Sequence, residues 1–399
     1  ALIFLGLTAY FYRVLINLLR ALASQEISLP VQRWFSAILI GLFLLGGGIL
    51  AANGRFDSSM RVLSDKSAAV QSLPHILLIT VDGLEAEHMS VYGYSRDTTP
   101  RLRQLAPSAV IAENAYPNGN VTALSIVSIY TGKYPAQSRF FYPPNILRDE
   151  HAYQHLPGLL RTLGYQTQQI AVPYYVDSTT FNMLNAFDIS NGAPQVTSPI
   201  VATLNRYLAS DFAYFLYEAG NRLADRMMHI FYIRSMNKPL ESVTNPKHFK
   251  DEQKIAQMIE ALATADQPIF IHAHLMGTHG DRYYPSKQVF STGVDLETQA
   301  SLNMDIYDDA ILEFDARMGG LVDELSVRGL LDKTILIVAA DHGLMWTETH
   351  RLPLIFRFPN GQPAGSIRTS VQNMDIAPTL LAYLEQAQPE WMRGTSLLD

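Results

Sequence analysis

Apolar residues occur along this chain in short continuous runs that alternate with segments of helical period. The run HILLITVDG, residues 75–83, has the length of a strand and ends in Asp-Gly, which is typical of a buried parallel strand. Similar runs follow at TQQIAVPYY, PIFIHAHLMGTH and TILIVAADHG. Helical patterns precede the first and last of these, at LPGLLRTLGY and from about Asn303 to Leu331. Strands that alternate with helices predict an α/β fold with a mainly parallel sheet.

A longer apolar segment lies before the first predicted strand. Residues 34–54 contain no charged side chain, and their number matches the ~20 residues that cross a hydrocarbon core as a helix. We interpret them as a transmembrane helix; the alternative, a cleaved signal peptide, has an apolar region of only about 7 to 15 residues. Residues 1–24 have the pattern of a partial span or an interfacial helix, and the polar residues 55–72 suit a linker.

An amphipathic pattern covers residues 201–236 and predicts a helical insertion. Its apolar side chains recur at three- and four-residue spacing, at Leu204, Leu208, Phe212, Phe215, Ala219, Leu223, Met227 and Phe231. Two interpretations stay open. The helix packs as part of a core or subdomain, or it lies on a bilayer surface or along the path of a lipid tail.

The overall composition fits a globular protein and narrows the chemistry. The chain has 399 residues, of which 48% are hydrophobic and 17% charged. Its net charge of -7, with no long basic run, argues against nucleic-acid binding. It contains no cysteine, which excludes disulfides, thiolate catalysis and cysteine-ligated zinc.

Potential metal ligands follow two of the predicted strands. Asp82 comes directly after ILLITV, and the adjacent Asp341 and His342 come after ILIVAA. Two carboxylates and an imidazole at strand ends predict a divalent-cation site. Each residue also has a structural explanation, since an aspartate at a strand end commonly caps the next helix.

Several motifs follow one another in a characteristic order. They are VDG, TTPRLRQLA, ENAYP, TGKYP, ADHG, RLPLIFRFP, MDIAPTLL and GTSLL. This order resembles the sulfatase branch of the alkaline phosphatase superfamily, over residues 75–398. The resemblance implies an alkaline phosphatase-like, three-layer sandwich around a mainly parallel central sheet, and we therefore assign residues 73–399 to one sulfatase-like catalytic domain.

The resemblance also implies a nucleophile. In this branch it lies nine residues before the Thr of a Thr-Gly pair, at the amino end of a helix, and that position is Thr122. Sulfatases have Cys or Ser there, which is converted to formylglycine. A Thr resembles instead the membrane-anchored phosphoethanolamine transferases and lipoteichoic acid synthases. That resemblance implies one divalent metal ion (Mn, Zn or Mg), bound by Asp82, Thr122, Asp341 and His342, which activates Thr122.

Further candidate residues lie close to these ligands in the sequence. The resemblance implies that His279, in IHAHLMGTHGDRYYP, contacts the substrate or protonates the leaving group. His274 is a second candidate for substrate binding, with a structural role as the alternative, whereas we expect His272 to point away from the site. His350 resembles a late histidine that some members bring to the site, and Asn120 is a further candidate for substrate binding.

Two departures from the family pattern affect the metal and the substrate. Gly83 stands where the sulfatase Asp-Asp pair has its second acidic residue, so that a second metal stays an open question. The segment between DHG and RLPLIFRFP is only LMWTETH, and it lacks the Lys often found there. Part of the usual substrate-binding apparatus is therefore missing.

Together these patterns predict a membrane-anchored, metal-dependent phosphotransferase or phosphodiesterase that transfers a phospho-headgroup through a phosphothreonine at Thr122. The predicted partners are the membrane and a membrane lipid or envelope glycan substrate. We expect the catalytic domain on the extracytoplasmic, periplasmic side of the cell membrane. Two alternatives stay open: a sulfatase-like hydrolase of phosphate or sulfate esters, and a noncatalytic structural subunit of a membrane protein complex.

Overall fold

The computed structural model describes most of the predicted catalytic domain. The described residues are 73–141, 145–172, 175–191, 193–194, 250–298 and 301–398, together with Arg13 and Ala219. Four predicted segments lie outside them: 1–24 and 201–236, apart from those two single residues, the transmembrane helix 34–54 and the linker 55–72. No helix within the described part is both long enough and apolar enough to cross a membrane.

Nine strands within the described residues form a single mixed sheet. They are β1 (His75–Val81), β2 (Val110–Tyr116), β3 (Gln166–Ile170), β4 (Ile189–Ser190), β5 (Ala193–Pro194), β6 (Ile269–Leu275), β7 (Thr334–Ala340), β8 (Leu354–Arg357) and β9 (Gly365–Gln372). Their order across the sheet is β5-β4-β3-β6-β1-β7-β8-β2-β9. The central strands β3, β6, β1 and β7 are parallel, as predicted, whereas β8 is antiparallel to both of its neighbours.

Helices cover both faces of this sheet. They are α1 (Pro100–Leu105), α2 (Thr122–Thr131), α3 (Pro135–Ser138), α4 (Leu156–Thr162), α5 (Asp251–Ala263), α6 (Met304–Val327) and α7 (Ile376–Tyr383). Short 3-10 turns lie at Ala86–His88, Ser90–Tyr92, Ala106–Ser108, Asp149–Ala152, Leu331–Lys333, Leu344–Trp346, Pro359–Gly361 and Asn373–Asp375.

Strand β1 shows how the two helical layers are held. Ile76 and Leu78 belong to a core cluster that includes side chains of α2, α4 and α7. Leu77 and Ile79 belong to a second cluster that includes side chains of α1, α5 and α6. A strand covered on both faces is apolar at successive positions, and this explains the continuous run ILLITV. The arrangement is the predicted three-layer α/β sandwich.

The predicted strands coincide with β1, β3, β6 and β7, and the long predicted helix coincides with α6. Asn303 caps α6, since its side-chain oxygen accepts hydrogen bonds from the backbone N–H groups of Asp305 and Ile306. The parallel strands end at the same edge of the sheet, and the polar residues that follow β1, β6 and β7 are therefore brought close together.

Candidate metal centre and active site

The register of β1 and β7 brings Asp82 next to Asp341. Val81 is paired with Ala340 in this parallel ladder, and each aspartate directly follows one of these two residues. Both carboxylates are completely buried. Two buried carboxylates on neighbouring strands repel each other unless a cation or proton lies between them.

Asp82, Asp341 and His342 form a group that can hold a divalent metal ion. One ligand atom from each residue lies within 4.8 Å of the others. Oδ2 of Asp341 is buried without a hydrogen-bond partner, although its Oδ1 accepts from the backbone N–H groups of Gly83 and His342. A cation would satisfy this orphaned oxygen, so the donor set fits a metal.

The ring of His342 is also oriented to bind a metal ion. Its Nδ1 lies 2.9 Å from the carbonyl oxygen of Gly343, which can only accept a hydrogen bond. Nδ1 therefore carries a proton, and Nε2, which lies 3.4 Å from Oδ2 of Asp341, is the nitrogen left for a metal ion. A histidine whose second nitrogen is fixed in this way is typical of metal centres.

Thr122 is the first residue of α2 and reaches this group. Its Oγ1 donates a hydrogen bond to Oδ2 of Asp82 at 3.1 Å and lies 3.3 Å from Nε2 of His342. The hydrogen bonds within the helix begin at Ser125, whose N–H donates to Val121. The preceding N–H groups therefore point out of the amino end, where they favour an anion.

The other hydroxyls of this segment have packing contacts. Ser125 donates to the carbonyl oxygen of Gly119, and Thr131 to that of Val127. Ser128 is buried, and its Oγ has no partner among the described residues. Thr122 alone among these four hydroxyls has hydrogen bonds to the metal-binding group.

Two histidines lie around Asp82. Nδ1 of His279 is 2.8 Å from Oδ1 of Asp82, and Nε2 of His274 is 3.4 Å from Oδ2. His274 is completely buried, whereas the side chain of His279 keeps some exposure to solvent. Asp251 at the start of α5 holds the segment after β6, since its carboxylate accepts from the N–H groups of Met276 and Gly277.

The prediction that His272 points away was wrong. His272 and His274 both contact Oγ1 of Thr80, at 2.9 and 2.8 Å. Side chains two positions apart on a strand lie on the same face, and the expectation overlooked this period.

The electrostatics of the group follow from its burial and its charges. Burial by itself raises the pKa of Asp82, but the charge of His279 and the hydrogen bonds from His274 and His279 hold that pKa well below its usual range. Burial raises the pKa of Asp341 more than His342 lowers it. Burial lowers the pKa of His279 and of His342, yet the neighbouring carboxylates raise both above the ordinary value.

Tyr175 is a residue of the site that sequence reasoning missed. Its Oη lies 2.9 Å from Oγ1 of Thr122 and 3.4 Å from Oδ2 of Asp82. Burial, together with the charges of Asp82 and Asp341, raises the pKa of Tyr175, so that its hydroxyl stays protonated. The available signal was its position in TQQIAVPYY, shortly after β3, which ends at the same edge of the sheet as β1.

The structure places the two remaining candidates differently. Asn120 is exposed, two residues before Thr122. His350 is half exposed, and its Nδ1 pairs with Glu85 at 2.7 Å rather than with a metal-binding residue. Glu85 also accepts from the N–H of Leu344, so this buried carboxylate anchors the short segment after His342.

Residues 74–386 match the family model described as Sulfatase. A similar protein is the N-acetylglucosamine-6-O-sulfatase of Bacteroides thetaiotaomicron, 21% identical over 402 residues that cover 81% of this chain and 70% of that protein. An ulvan-active sulfatase of Formosa agariphila is 22% identical, over 92% of this chain and 61% of its own length. The chain thus spans only part of these relatives.

Solved structures in the alkaline phosphatase superfamily share the fold. The phosphonate monoester hydrolase of Agrobacterium radiobacter has a TM-score of 0.57 at 16% identity, over 82% of this chain and 76% of that one. The C-terminal periplasmic domain of EcEptC from Escherichia coli has a TM-score of 0.50 at 15% identity, over 78% of this chain and 82% of that one. At such identities the likeness is one of fold.

Proposed function

Because the chain belongs to the Sulfatase family, we propose that it is a metal-dependent hydrolase of phosphate or sulfate esters with Thr122 as its nucleophile. One observation carries the proposal. Thr122 is the first residue of α2, and its Oγ1 lies within hydrogen-bonding distance of Asp82 and His342. A threonine hydroxyl is a weak nucleophile, and metal coordination is one way to activate it. The sulfatase relatives support hydrolysis over the phosphotransfer that we predicted from the sequence.

The proposed cofactor is one divalent metal ion held by Asp82, Asp341 and His342. The orphaned oxygen of Asp341 and the lone pair of His342 support this assignment. When bound, such an ion supplies Lewis-acid polarisation of the ester and stabilises negative charge on its oxygens. Two carboxylates and a hydroxyl suit Mn or Mg, and the imidazole also suits Zn.

The groups of the chain divide the proposed reaction into two steps. Thr122 loses its proton to bulk water, and its Oγ1 forms a bond to phosphorus or sulfur as the bond to the alcohol breaks. His279 gives a proton to the departing alcohol. Water then attacks the phosphorus or sulfur atom and gives one proton to His279. The bond from that atom to Oγ1 breaks, phosphate or sulfate is released, and Oγ1 regains a proton from water. The N–H groups at the start of α2 face the charge that develops on the ester oxygens.

Transfer of a phospho-group to an alcohol is the second candidate, and Thr122 itself favours it. The formylglycine of sulfatases is an aldehyde, but oxidation of a threonine hydroxyl gives a ketone, so Thr122 acts as an unmodified hydroxyl. An unmodified hydroxyl suits attack on phosphorus. In this candidate, an acceptor hydroxyl replaces water in the second step.

We further propose that the substrate is a membrane lipid or an envelope glycan and that the protein is attached to the cell membrane, with its site on the periplasmic side. The apolar residues 34–54 support attachment. Met345 and Trp346, which follow His342 closely, expose 40% and 44% of their surface and have left-handed backbone conformations. Strained, exposed apolar residues beside a site favour contact with an apolar part of the substrate.

The test is a comparison of ester substrates with purified full-length protein loaded with Mn, Zn or Mg. We expect turnover of p-nitrophenyl phosphate, bis(p-nitrophenyl) phosphate or p-nitrophenyl sulfate, and loss of that turnover in Thr122→Ala. Ser128→Ala is the matched control, since it removes a buried hydroxyl of the same helix that has no hydrogen bond to the metal-binding group. Activity that persists in Thr122→Ala contradicts the proposal.

Added glycerol separates the two candidates. Glycerol phosphate as the main product would favour transfer, whereas inorganic phosphate or sulfate would favour hydrolysis. The absence of both turnover and bound metal would support the noncatalytic membrane-complex subunit instead.

A further inference from the structure

A line of buried polar side chains leads from the interior of the sheet to Asp82. It consists of Gln169, Tyr130, His272, Thr80 and His274, all of which are 0% exposed. Apart from His274, none of them has a hydrogen bond to the metal-binding group. Because each contact joins groups of known donor and acceptor capacity, the direction of every hydrogen bond can be assigned in turn.

The line starts at a backbone N–H, which can only donate. The N–H of Ser178 donates to Oε1 of Gln169 at 3.1 Å, and the hydroxyl of Ser190 donates to the same oxygen at 2.8 Å. The amide of Gln169 is therefore oriented with Nε2 toward Tyr130, and Nε2 donates to its Oη at 3.0 Å.

The hydrogen bond that Tyr130 accepts from Gln169 determines which group donates between Tyr130 and His272. Burial raises the pKa of Tyr130, so it keeps its proton, and its hydroxyl donates to Nδ1 of His272. Burial lowers the pKa of His272, so this ring is neutral and carries its proton on Nε2. That Nε2–H donates to Oγ1 of Thr80 at 2.9 Å.

Thr80 then fixes the ring of His274. Its hydroxyl donates to Nδ1 of His274 at 2.8 Å; the alternative acceptor, the carbonyl oxygen of Ala273, lies farther away at 3.4 Å. Nδ1 of His274 is thus an acceptor, and the ring carries its proton on Nε2. This Nε2–H faces Oδ2 of Asp82 at 3.4 Å.

We propose that this line of hydrogen bonds holds His274 as its Nε2–H tautomer, so that His274 positions Asp82 and does not ligate a metal. The inference rests on the proposed metal centre and deepens it. A nitrogen that carries a proton has no lone pair for a cation, so His274 adds no ligand to Asp82, Asp341 and His342. We therefore expect the site to take one divalent ion.

The experiment uses full-length protein labelled with 15N-histidine, without metal. NMR correlations between the ring nitrogens and carbon-bound protons distinguish the tautomers, and His272→Gln and His274→Gln assign the signals. We expect the Nε2–H pattern at His272 and His274. An Nδ1–H pattern at His274 overturns the inference.

Substitutions of Thr80 test whether the line sets the tautomer. Thr80→Val removes the hydroxyl at almost unchanged volume, and we expect the proton of His274 to move at least partly to Nδ1. Thr80→Ser keeps a hydroxyl and is expected to retain the wild-type pattern. An unchanged Nε2–H pattern in Thr80→Val overturns the role of the line. Tyr130→Phe, compared with Tyr165→Phe outside the line, is the second variant if Thr80→Val does not fold.

Metal titration supplies an independent measurement. Calorimetry with Mn²⁺ should give one ion per wild-type chain, with a Kd about tenfold weaker in Thr80→Val than in Thr80→Ser. Two ions per chain overturn the inference. Thr122→Ala separates it from the proposed function, because that variant should lose ester turnover and keep the tautomer of His274. A protein without ester turnover but with this tautomer would contradict the function alone.

Discussion

Oγ1 of Thr122 lies 3.1 Å from Oδ2 of Asp82, although the two residues are 40 positions apart in the chain. Asp82 follows β1 and Thr122 begins α2, and both elements meet at the carboxyl edge of the parallel strands. The contact places a hydroxyl against a carboxylate that also faces His279 and His342. The proposed nucleophile, the proposed acid and the other metal-binding residues therefore all lie around the buried side chain of Asp82.

Removing the charge of Asp341 should strongly weaken metal binding. Asp341→Asn keeps the size of the side chain but replaces the orphaned, charged oxygen that a cation would neutralise. We expect metal affinity to fall by at least about a hundredfold, since even partners of metal ligands account for 10- to 100-fold. Calorimetric titration with Mn²⁺ measures this. Asp323→Asn, at a surface pair with Arg101, is the control and should bind as wild type does; equal affinity in both variants would refute the assigned ligand set.

Substitution of His279 should affect esters according to their leaving groups. Burial lowers the pKa of His279, but the carboxylate of Asp82 raises it by more. The net rise favours the protonated ring, which can donate a proton. For alkyl esters we expect His279→Gln to lower kcat by about 10² to 10⁴. For p-nitrophenyl esters, whose leaving group needs little protonation, the decrease should be much smaller. A uniform decrease across both classes would show that His279 is not the acid.

The hydroxyl of Tyr175 should contribute to the rate. Tyr175→Phe removes the group that lies 2.9 Å from Oγ1 of Thr122, and we expect kcat to fall by about tenfold to a hundredfold, less than the roughly 10²- to 10³-fold loss for a donor that contacts the developing oxyanion itself. The exposed Tyr134 supplies the matched control, Tyr134→Phe. Steady-state kinetics on the best ester would decide; unchanged kcat in Tyr175→Phe would remove Tyr175 from the mechanism.

His155 should make the protein less stable in acid. This buried residue caps α4, with Nδ1 accepting from the N–H of Gly158, and burial lowers its pKa to about 4 from 6.5. Between about pH 6.5 and pH 4, His155 therefore binds a proton in the unfolded chain but stays neutral in the folded chain. The contribution of neutral His155 is complete above about pH 6.5 and is lost as the pH falls toward 4, by about 3 kcal/mol in total.

Urea unfolding at pH 7.5 and 4.5 measures this loss. His155→Asn keeps a capping oxygen but cannot titrate in this range, so its free energy of unfolding should depend less on pH than that of the wild type. The half-exposed His350 provides His350→Asn as the comparison. The same pH dependence in all three proteins would exclude His155 as the cause.

The sequence was sufficient to predict the central strands and several of the residues that the structure brings together where those strands end. A continuous apolar run such as ILLITV has few interpretations, and Asp82, Asp341 and His342 directly follow such runs. Because parallel strands end at one edge of the sheet, the residues that follow them could be expected to lie near one another without knowledge of the full strand order. Thr122 depended on its spacing from Thr131 and on the family resemblance.

Contacts between distant segments could not be predicted in the same way. Tyr175 lies 93 positions from Asp82, and Glu85 lies 265 from His350, at spacings that no local pattern encodes. The antiparallel β8 also escaped prediction, since its four residues are buried and carry no sign of direction. The prediction for His272 was wrong for a simpler reason: side chains two positions apart on a strand lie on the same face, and this period was misapplied.

The most direct test of the central claim is the mass of the peptide that contains Thr122, measured during turnover. Full-length protein with bound metal would be mixed with substrate, quenched in acid within the first turnovers and digested. We predict a peptide containing Thr122 that carries one phosphoryl or sulfuryl group, absent from Thr122→Ala and from protein without substrate. An unmodified Thr122 peptide during demonstrable turnover, or the same group on another residue, would contradict the account.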